Sequence, residues 1–412
     1  MYQKERTYLF SSESVSCGHP DKLADQISDA ILDEFLKQDP ESKVACETFI
    51  TDGLVVVGGE VHSDAYVDIK SVVKDVLKEA GYTSEYGFDP DNFGLITCIH
   101  EQSNDIRQGV DREDEKEQGA GDQGMMFGYA TDETSAYMPA PIVLAHTTMQ
   151  VMDELRKEPN ERYDNERFSD YFGPDAKCQY TLEYDLDTHK PLRINTIVVS
   201  TQHKEEVKVS DVEEYVRTIV LPTVKERVGS LSSLFDNVDM DILVNPTGKF
   251  VIGGPKGDTG LTGRKIIVDT YGGNCPHGGG AFSGKDASKV DRTGAYAARF
   301  IAKNIVAAGL ANKCTVQISY AIGVAKPVSL CVNTNGTGYY SDNVLADNVL
   351  SCIDLRPAAI VERFGLKNPI FRETATYGHF GRNKFPWEKI DDGFIKRMKT
   401  TCLIDKIKNK NA

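Results

Sequence analysis

Residues 252–292 contain the densest run of glycine in the chain, with eleven of its 35 glycines between Gly253 and Gly284. Glycine has no Cβ and tolerates positive φ, so main-chain amides in such a run can approach a ligand closely. Lysine, arginine and aspartate are interspersed among the glycines. Amides and cations suit a polyanion, and carboxylates suit the metal ions that accompany a polyphosphate. The alternative is a flexible linker, but a predicted strand at 265–270 and a helix that follows the run favour ligand-binding loops.

Two short patterns resemble nucleotide-binding motifs, but the residues around each pattern do not fit the motif. Gly279 to Lys285 matches the first part of a Walker loop, but Asp286 stands where Ser or Thr binds magnesium. Gly119, Gly121 and Gly124 match the dinucleotide pattern, but a charged run precedes them instead of a buried strand. We therefore expect neither a P-loop nor a Rossmann fold, and any nucleotide would bind by another geometry.

The composition narrows the class of protein. A length of 412 residues predicts two or three domains. The net charge of -15 argues against nucleic-acid and anionic-membrane partners, which attract a basic surface. No apolar run has the length of a signal peptide core or a membrane span. The nine cysteines form no C-x-x-C pair, so we expect reduced thiols and a cytoplasmic protein.

The first hundred residues read as strand, helix, two strands, helix, strand. Pro20 fits a first helical turn, apolar residues then follow helical spacing, and Pro40 ends the helix. His19 and Asp21 therefore lie at a helix N-terminus, where aligned amides favour an anion. This order is typical of the α+β class, with helices packed on an antiparallel sheet. Gln102 to Asp122 is long and highly charged, which predicts an active-site lid or a disordered loop.

A set of motifs over nearly the whole chain resembles the S-adenosylmethionine synthetase (methionine adenosyltransferase) family. The motifs are SESVSCGHPDKLADQISDAILD, ACETFITDGLVVVGGEV, QGAGDQGMMFGYATDET, GPDAKCQ, GGGAFSGKD, VDRTGAYAARFIAKNIVAAGL and ETATYGHFGR. The resemblance implies three similar β-α-β-β-α-β type domains related by approximate threefold symmetry. It places them at 1–104, 117–251 and 252–390, with a mobile gate loop at 105–116 and a tail at 391–412. It also implies a homodimer or homotetramer with shared active sites.

The reaction that this resemblance implies joins ATP and L-methionine. The methionine sulfur attacks C5′ of ATP, the whole triphosphate leaves, and the triphosphate is then hydrolysed to phosphate and pyrophosphate. The sulfur gains positive charge while the leaving oxygen gains negative charge, so the site needs cations at one end and carboxylates at the other. The resemblance implies two Mg²⁺ ions and one K⁺ ion per site.

The resemblance also assigns roles to individual residues. The catalytic residues are His19, which would stabilise the leaving O5′, with Lys177, Lys285 and Asp291. The ATP-binding residues are His19, Asp175, Ala176, Lys177, Lys249, Phe250, Asp258, Arg264, Lys265, Ala281 and Lys285. The methionine-binding residues are Glu60, Gln102, Asp122, Asp258 and Lys289. The metal ligands are Asp21 and Asp291 for Mg²⁺, and Glu47 for K⁺.

Plainer interpretations exist for most of these residues. His19 could only cap a helix, and Asp21 and Asp291 could form surface ion pairs with Lys22 and Arg292. An unassigned lysine is usually solvated, and a phenylalanine between strand residues is usually core. Glu47 could be an outward-facing strand residue.

Two positions depart from the family pattern. Cys17 stands where glutamate is usual in SVSEGHPDK, and a thiol there would make activity sensitive to alkylation or oxidation. Lys249 stands where arginine is common, which keeps the charge and loses the planar fork for a bidentate contact.

Two rival functions remain at this point. Another ATP-using enzyme, such as a kinase or ligase, would share only the polyphosphate chemistry and would release ADP or AMP. A catalytically inactive relative could serve as a structural or regulatory subunit, but such a relative should have lost catalytic residues that are present in this sequence.

Overall fold

The computed structural model describes residues 6–101, 117–157 and 171–410. In chain order the strands are β1 (Thr7–Val15), β2 (Lys43–Thr51), β3 (Leu54–His62), β4 (Gly94–Glu101), β5 (Gly124–Thr131), β6 (Phe172–Asp185), β7 (Pro191–His203), β8 (Asp241–Val244), β9 (Gly260–Leu261), β10 (Lys313–Tyr320) and β11 (Ser329–Asn333).

The helices follow the same numbering. They are α1 (Pro20–Gln38), α2 (Ile69–Ala80), α3 (Ala140–Lys157), α4 (Val209–Tyr215), α5 (Leu221–Arg227), α6 (Gly254–Gly257), α7 (Ile266–Asp269), α8 (Val290–Ala307), α9 (Asp342–Cys352), α10 (Pro357–Phe364) and α11 (Asp392–Lys410). A π-turn at Val216–Val220 joins α4 to α5, and 3₁₀ turns lie at Ser84–Tyr86, Gly229–Asp236, Arg372–Ala375 and Pro386–Glu388.

The strands form three sheets that share one plan. Their orders are β9-β2-β3-β4, β1-β6-β7-β8 and β5-β10-β11. The units are the three predicted domains, which contribute β1–β4, β5–β8 and β9–β11. In each sheet the first strand of one unit pairs antiparallel with the second strand of another unit. The three units thus exchange their first strands in a cycle, which agrees with the predicted α+β fold of three similar units.

One long helix packs against each sheet and supplies much of the core. α1 packs on β2, α3 packs on β1 and β6, and α8 packs on β5 and β10. Apolar residues at helical spacing explain this packing, since Leu23, Ile27 and Ile31 of α1 are fully buried. Gly128 of β5 lets α8 approach, because a Cβ there would lie 2.0 Å from the Ala298 carbonyl carbon.

Three local predictions are wrong. Two of the three sheets are mixed and not purely antiparallel, because β4 runs parallel to β3 and β8 runs parallel to β7. The helices between those strands return the chain to the same edge, whereas the β5-β10-β11 sheet is antiparallel throughout. The expected strand at 265–270 is the helical turn α7, closed by the Asp269 amide on the Lys265 carbonyl at 2.9 Å. Residues 249–252 form no strand, although the Phe250 amide and carbonyl both bond to His203.

Within the three described ranges, no helix combines the length and the apolar character that crossing a membrane requires.

Candidate active site

His19 is the N-cap of α1, and its hydrogen bond determines which ring nitrogen carries the proton. Its Nδ1 accepts from the Asp21 amide at 3.1 Å, and the side chain is 13% exposed. Burial, followed by the charge of Lys265, lowers the pKa of His19 to about 4. A neutral ring whose Nδ1 accepts must carry its proton on Nε2. His19 therefore caps the helix and also offers an N–H donor on the other side of the ring.

Asp21 lies in the first turn of α1, and its carboxylate pairs with cationic side chains of the glycine-rich stretch. Its Oδ1 accepts from the Leu261 amide at 3.0 Å, and its Oδ2 pairs with Lys265 Nζ at 2.5 Å. Arg264 approaches the same carboxylate at 3.5 Å. Burial raises the pKa of Asp21, but the hydrogen bonds from Lys265 and Leu261 outweigh it and lower the pKa below its usual value. The surface ion pair between Asp21 and Lys22 is not found, because Lys22 is buried against other partners.

Asp175 and Lys177 belong to β6 and lie near His19. The buried Asp175 carboxylate accepts from the Gly254 amide at 2.8 Å, and burial raises its pKa to about 6. The charges of Lys177 and Asp258 act on both His19 and Asp175, which places these four side chains in one neighbourhood. Lys177 and Asp258 are exposed and thus accessible to a ligand.

These residues form one cluster, which we name the nucleotide group after the ATP-binding role predicted for most of its members, namely His19, Asp21, Asp175, Lys177, Asp258, Arg264 and Lys265.

Ala176 and Phe250 border this group through their main chains. The Ala176 amide donates to Ser16 Oγ at 2.9 Å, which ties β6 to the segment before His19. Phe250 is half-buried, and its ring lies against Gly253, where an added Cβ would be 2.9 Å from the ring. Phe250 is thus not fully buried in the core, and its adenine-stacking role stays a prediction.

Lys249 points elsewhere within the chain. Its side chain is 62% exposed and lies 3.5 Å from Glu205, which is itself exposed. The structure does not join Lys249 to the nucleotide group, so its ATP role stays a prediction.

The second cluster of predicted residues lies where the glycine-rich stretch meets α8. Lys285 Nζ pairs with Asp291 Oδ2 at 2.5 Å, and Lys289 Nζ pairs with Asp286 Oδ2 at 3.2 Å. Gly280 packs directly against Asp291, since a Cβ at Gly280 would lie 2.3 Å from the Asp291 carboxyl carbon. The surface pair between Asp291 and Arg292 is not found, because Arg292 is fully buried on Asp29.

Glu60 and Asp122 approach this second cluster from other elements. Ala45 of β2 pairs with Glu60 of β3 and also bridges Lys285. Gly121 lies against residue 288, since a Cβ there would be 2.8 Å from the Ser288 carbonyl oxygen. We name the set Glu60, Asp122, Lys285, Lys289 and Asp291 the methionine group, after the methionine-binding role predicted for Glu60, Asp122 and Lys289; Lys285 and Asp291 belong to it by position and keep their predicted roles toward ATP and Mg²⁺.

Ala281 touches the loop that carries Arg264 and Lys265. A Cβ at Gly263 would lie 2.4 Å from the Ala281 Cβ. This contact joins the loop of the nucleotide group to the glycine-rich segment before Lys285.

The predicted metal ligands fit hard cations as single oxygen donors. In the described part of the chain, no three His, Cys, Asp or Glu side chains converge on a metal site. Mg²⁺ in phosphate-using enzymes typically takes one or two carboxylates and completes its shell with phosphates and water. Asp21 and Asp291 each offer one carboxylate, as that pattern requires. Glu47 is exposed on β2 opposite Gly58 and offers one carboxylate.

Gln102 and the predicted gate loop at 105–116 lie outside the described residues.

Cys17 does not have the environment of a reactive thiol. It is 4% exposed, and its Sγ donates to Asp153 Oδ1 at 3.0 Å. Burial and the Asp153 charge raise the pKa of Cys17 to about 11. The thiolate is the reactive form, so the expected sensitivity to alkylation is not supported. Asp153 instead supplies a carboxylate beside Cys17 and pairs with Arg156 at 2.7 Å.

Comparisons with known proteins decide the family. The family models described as S-adenosylmethionine synthetase N-terminal, central and C-terminal domain match residues 7–104, 117–250 and 252–389. The chain belongs to the S-adenosylmethionine synthetase family. It is 56% identical to the S-adenosylmethionine synthase of Porphyromonas gingivalis strain W83 over an alignment of 417 positions, which covers 96% of this chain and 95% of that one.

A second relative extends the match beyond that genus. The S-adenosylmethionine synthase of Staphylococcus epidermidis strain RP62A is 53% identical over 397 residues, which cover 93% of this chain and 96% of that protein. The fold of three similar domains is thereby confirmed. Membership of the S-adenosylmethionine synthetase family implies a metal-dependent enzyme that uses ATP and methionine. The finer domain boundaries, including 251 and 390, stay predictions.

Several buried charges next to the site were missed by the sequence reasoning. Asp25 and Asp29 of α1 bond to main-chain amides of the glycine-rich stretch, at Gly263 and Gly284. The available signal was the spacing of four between aspartates on a helix whose other residues are mostly apolar.

Proposed function

We propose that this chain catalyses the formation of S-adenosylmethionine, phosphate and pyrophosphate from ATP, L-methionine and water. The observation that carries the proposal is the nucleotide group, in which a neutral His19 with a free Nε2–H lies beside Asp21, Lys265 and Lys177. Family membership supports the same reaction.

The first step needs a donor at the leaving oxygen and cations along the triphosphate. A sulfur lone pair of methionine forms the S–C5′ bond while the C5′–O5′ electrons move to the triphosphate. We assign the Nε2–H of His19 to O5′, because a donor preorganised toward developing negative charge lowers the barrier. Lys177, Arg264, Lys265 and Lys285 would bind the triphosphate, and the carboxylates of Asp21 and Asp291 hold Arg264, Lys265 and Lys285 in place without it.

The remaining assigned residues would bind the adenosine part of ATP and the methionine. Asp175, Ala176, Lys249, Phe250 and Ala281 would line the nucleotide. Glu60, Gln102, Asp122, Asp258 and Lys289 would bind methionine, where carboxylates favour both its ammonium group and the nascent sulfonium. The segment 105–116 would close over the site and exclude water.

The metal assignments are two Mg²⁺ ions, with ligands Asp21 and Asp291, and one K⁺ ion at Glu47. When bound with ATP, magnesium would neutralise charge on the triphosphate. The pairing of Asp21 with Lys265 and of Asp291 with Lys285 supports this proposal, because the same carboxylates and lysines would meet the phosphates and their cations together.

We further propose that the active site is shared between two copies in a homodimer or homotetramer. Lys285 and Asp291 lie with the methionine group and bond to each other, whereas Asp21 bonds to Lys265 in the nucleotide group. A second copy would supply the complementary group. Asp21→Asn and Lys285→Met should each lower turnover about a hundredfold or more. Refolding the two variants together should restore part of the activity, because one site of the mixed pair is intact; no restoration would argue against sharing.

We propose a cytoplasmic location, supported by nine cysteines that include no C-x-x-C pair, and ATP and methionine as ligands with neither nucleic-acid nor membrane partners.

A product assay tests the proposed reaction. Purified protein is incubated with ATP, L-methionine, magnesium and potassium, and S-adenosylmethionine and phosphate are followed by mass spectrometry and colorimetry. Methionine-dependent formation of both is the expected result. ADP or AMP as product would identify a kinase or ligase, and untouched ATP with folded protein would favour an inactive subunit.

A further inference from the structure

One face of α1 carries four aspartates at a spacing of four residues, namely Asp21, Asp25, Asp29 and Asp33. All four are buried, although ionised carboxylates are rarely buried without a compensating partner. Each accepts a hydrogen bond from a main-chain amide that is distant in sequence. The helix therefore bonds through one face to several loops, and two of these loops carry active-site cations.

Asp25 holds the loop of the nucleotide group. Its Oδ1 accepts from the Gly263 amide at 2.8 Å, and its Oδ2 accepts from Lys22 Nζ at 2.9 Å. Gly263 directly precedes Arg264 and Lys265, and its φ of 78° is one that a side chain would strain. Lys22 also pairs with Asp269 at 2.5 Å, so Asp25 and Asp269 share one buried ammonium group.

Asp29 holds the loop of the methionine group in the same way. Its Oδ1 accepts from the Gly284 amide at 2.8 Å, and Arg292 donates to both of its oxygens at 2.7 and 2.9 Å. Gly284 directly precedes Lys285, and a Cβ there would lie 1.9 Å from the Cys46 carbonyl oxygen. Arg292 and Asp29 are fully buried, so this pair does not contact a ligand.

We infer that Asp25 and Asp29 are positioning residues, which fix the Arg264–Lys265 pair and Lys285 on one rigid helix. Successive anchors lie about 6 Å apart along the axis, since four residues rise 1.5 Å each. A carboxylate that bonds a main-chain amide constrains the backbone and not the cation, so the cations stay available for the triphosphate. Displacement of a catalytic group by about 1 Å can cost about a hundredfold in rate. This inference depends on the proposed function.

Asp33 provides a matched control on the same helix face. Its carboxylate accepts from the Phe371 amide at 3.0 Å and from the Arg372 amide at 2.8 Å, and its burial is comparable. The segment that it holds carries no residue assigned to ATP or methionine. Loss of Asp33 should therefore cost stability through the same kind of bond without moving the active-site cations.

The experiment compares Asp25→Ala, Asp25→Asn and Asp33→Ala in the full-length protein. We expect Asp25→Ala to lower kcat at least about tenfold, with the KM for methionine within about threefold. Asp25→Asn keeps an acceptor for the Gly263 amide but turns an NH2 group toward Lys22, so it should recover part of kcat and less of the stability. Asp33→Ala should keep kcat within about twofold of the unmodified protein, although its Tm should fall as far as that of Asp25→Ala. If Asp25→Ala does not fold, Asp25→Thr fills more of the space with a shorter hydroxyl and takes its place.

Two outcomes would overturn the inference. Folded Asp25→Ala or Asp25→Thr with kcat within about twofold of the unmodified protein would show that the anchor is dispensable. An equal loss of kcat in Asp33→Ala would show that the aspartates act only through stability. Failure of the proposed function is recognised separately, because the unmodified protein would then form no S-adenosylmethionine.

Discussion

His19 has two tasks at one ring, and substitutions of different length separate them. Nδ1 accepts a hydrogen bond from the Asp21 amide and so caps α1, and the proposed function assigns Nε2–H to the leaving oxygen. His19→Asn keeps an acceptor at the Nδ1 position and is a good N-cap, but it has no donor at the distance of Nε2. His19→Gln reaches the Nε2 position with its amide and loses the cap geometry.

The expected magnitudes follow from these contacts. Loss of one preorganised donor to a developing oxyanion costs about 2.7–4 kcal/mol, so His19→Asn should lower kcat about 100- to 1,000-fold with an unchanged Tm. His19→Gln should lower kcat less, by about tenfold, and should lose about 1 kcal/mol of stability with the cap. The assay is S-adenosylmethionine formation at saturating ATP and methionine, with Tm measured on the same samples. His19→Asn with kcat within about threefold of the unmodified protein would refute the donor role, and equal losses in both variants would refute the separation of tasks.

Three further predictions test the cation site, a buried histidine and a buried ion pair. Activity should rise with KCl and vanish with EDTA, and Glu47→Gln should abolish the potassium response; turnover in KCl equal to that in tetramethylammonium chloride would contradict this role. His146 is buried with its pKa lowered to about 3 by burial, so the unfolded chain takes up a proton below pH 6.5 that the folded protein does not. The free energy of unfolding in urea, measured relative to that of His146→Gln, should therefore fall by about 2 kcal/mol from pH 7 to pH 5. A difference between the two proteins that does not change with pH would argue against a neutral buried ring. Glu388 accepts two hydrogen bonds from Arg299 at 2.7 and 2.9 Å in the core, so Glu388→Gln should cost about 3–5 kcal/mol. Glu154, whose exposed carboxylate pairs with Arg227, serves as the control, and Glu154→Gln should cost about 1 kcal/mol or less. Equal costs for Glu154→Gln and Glu388→Gln would contradict the burial argument.

Local pattern in the sequence was sufficient for most elements and for the family. The predicted helix from Pro20 to before Pro40 is α1, which ends at Gln38, and the turn at Gly53 joins β2 to β3. Helical spacing, proline and glycine act over a few residues, so they can be recognised without knowing the path of the chain. The glycine-rich stretch was correctly interpreted as loops that carry charged residues, although the short strand expected within it is the helical turn α7.

The tertiary structure alone decided how these elements combine. Strand β1 pairs with β6 about 170 residues away, and no local pattern specifies that partner. Lys265 and Lys285 lie in one stretch of sequence, yet they bond to Asp21 and Asp291 in different groups. The spacing of the α1 aspartates is compatible with a solvated helix face, and only the packing of the loops onto α1 makes Asp25 and Asp29 buried acceptors. Burial and long-range pairing depend on the path of the whole chain, whereas periodicity depends only on neighbours.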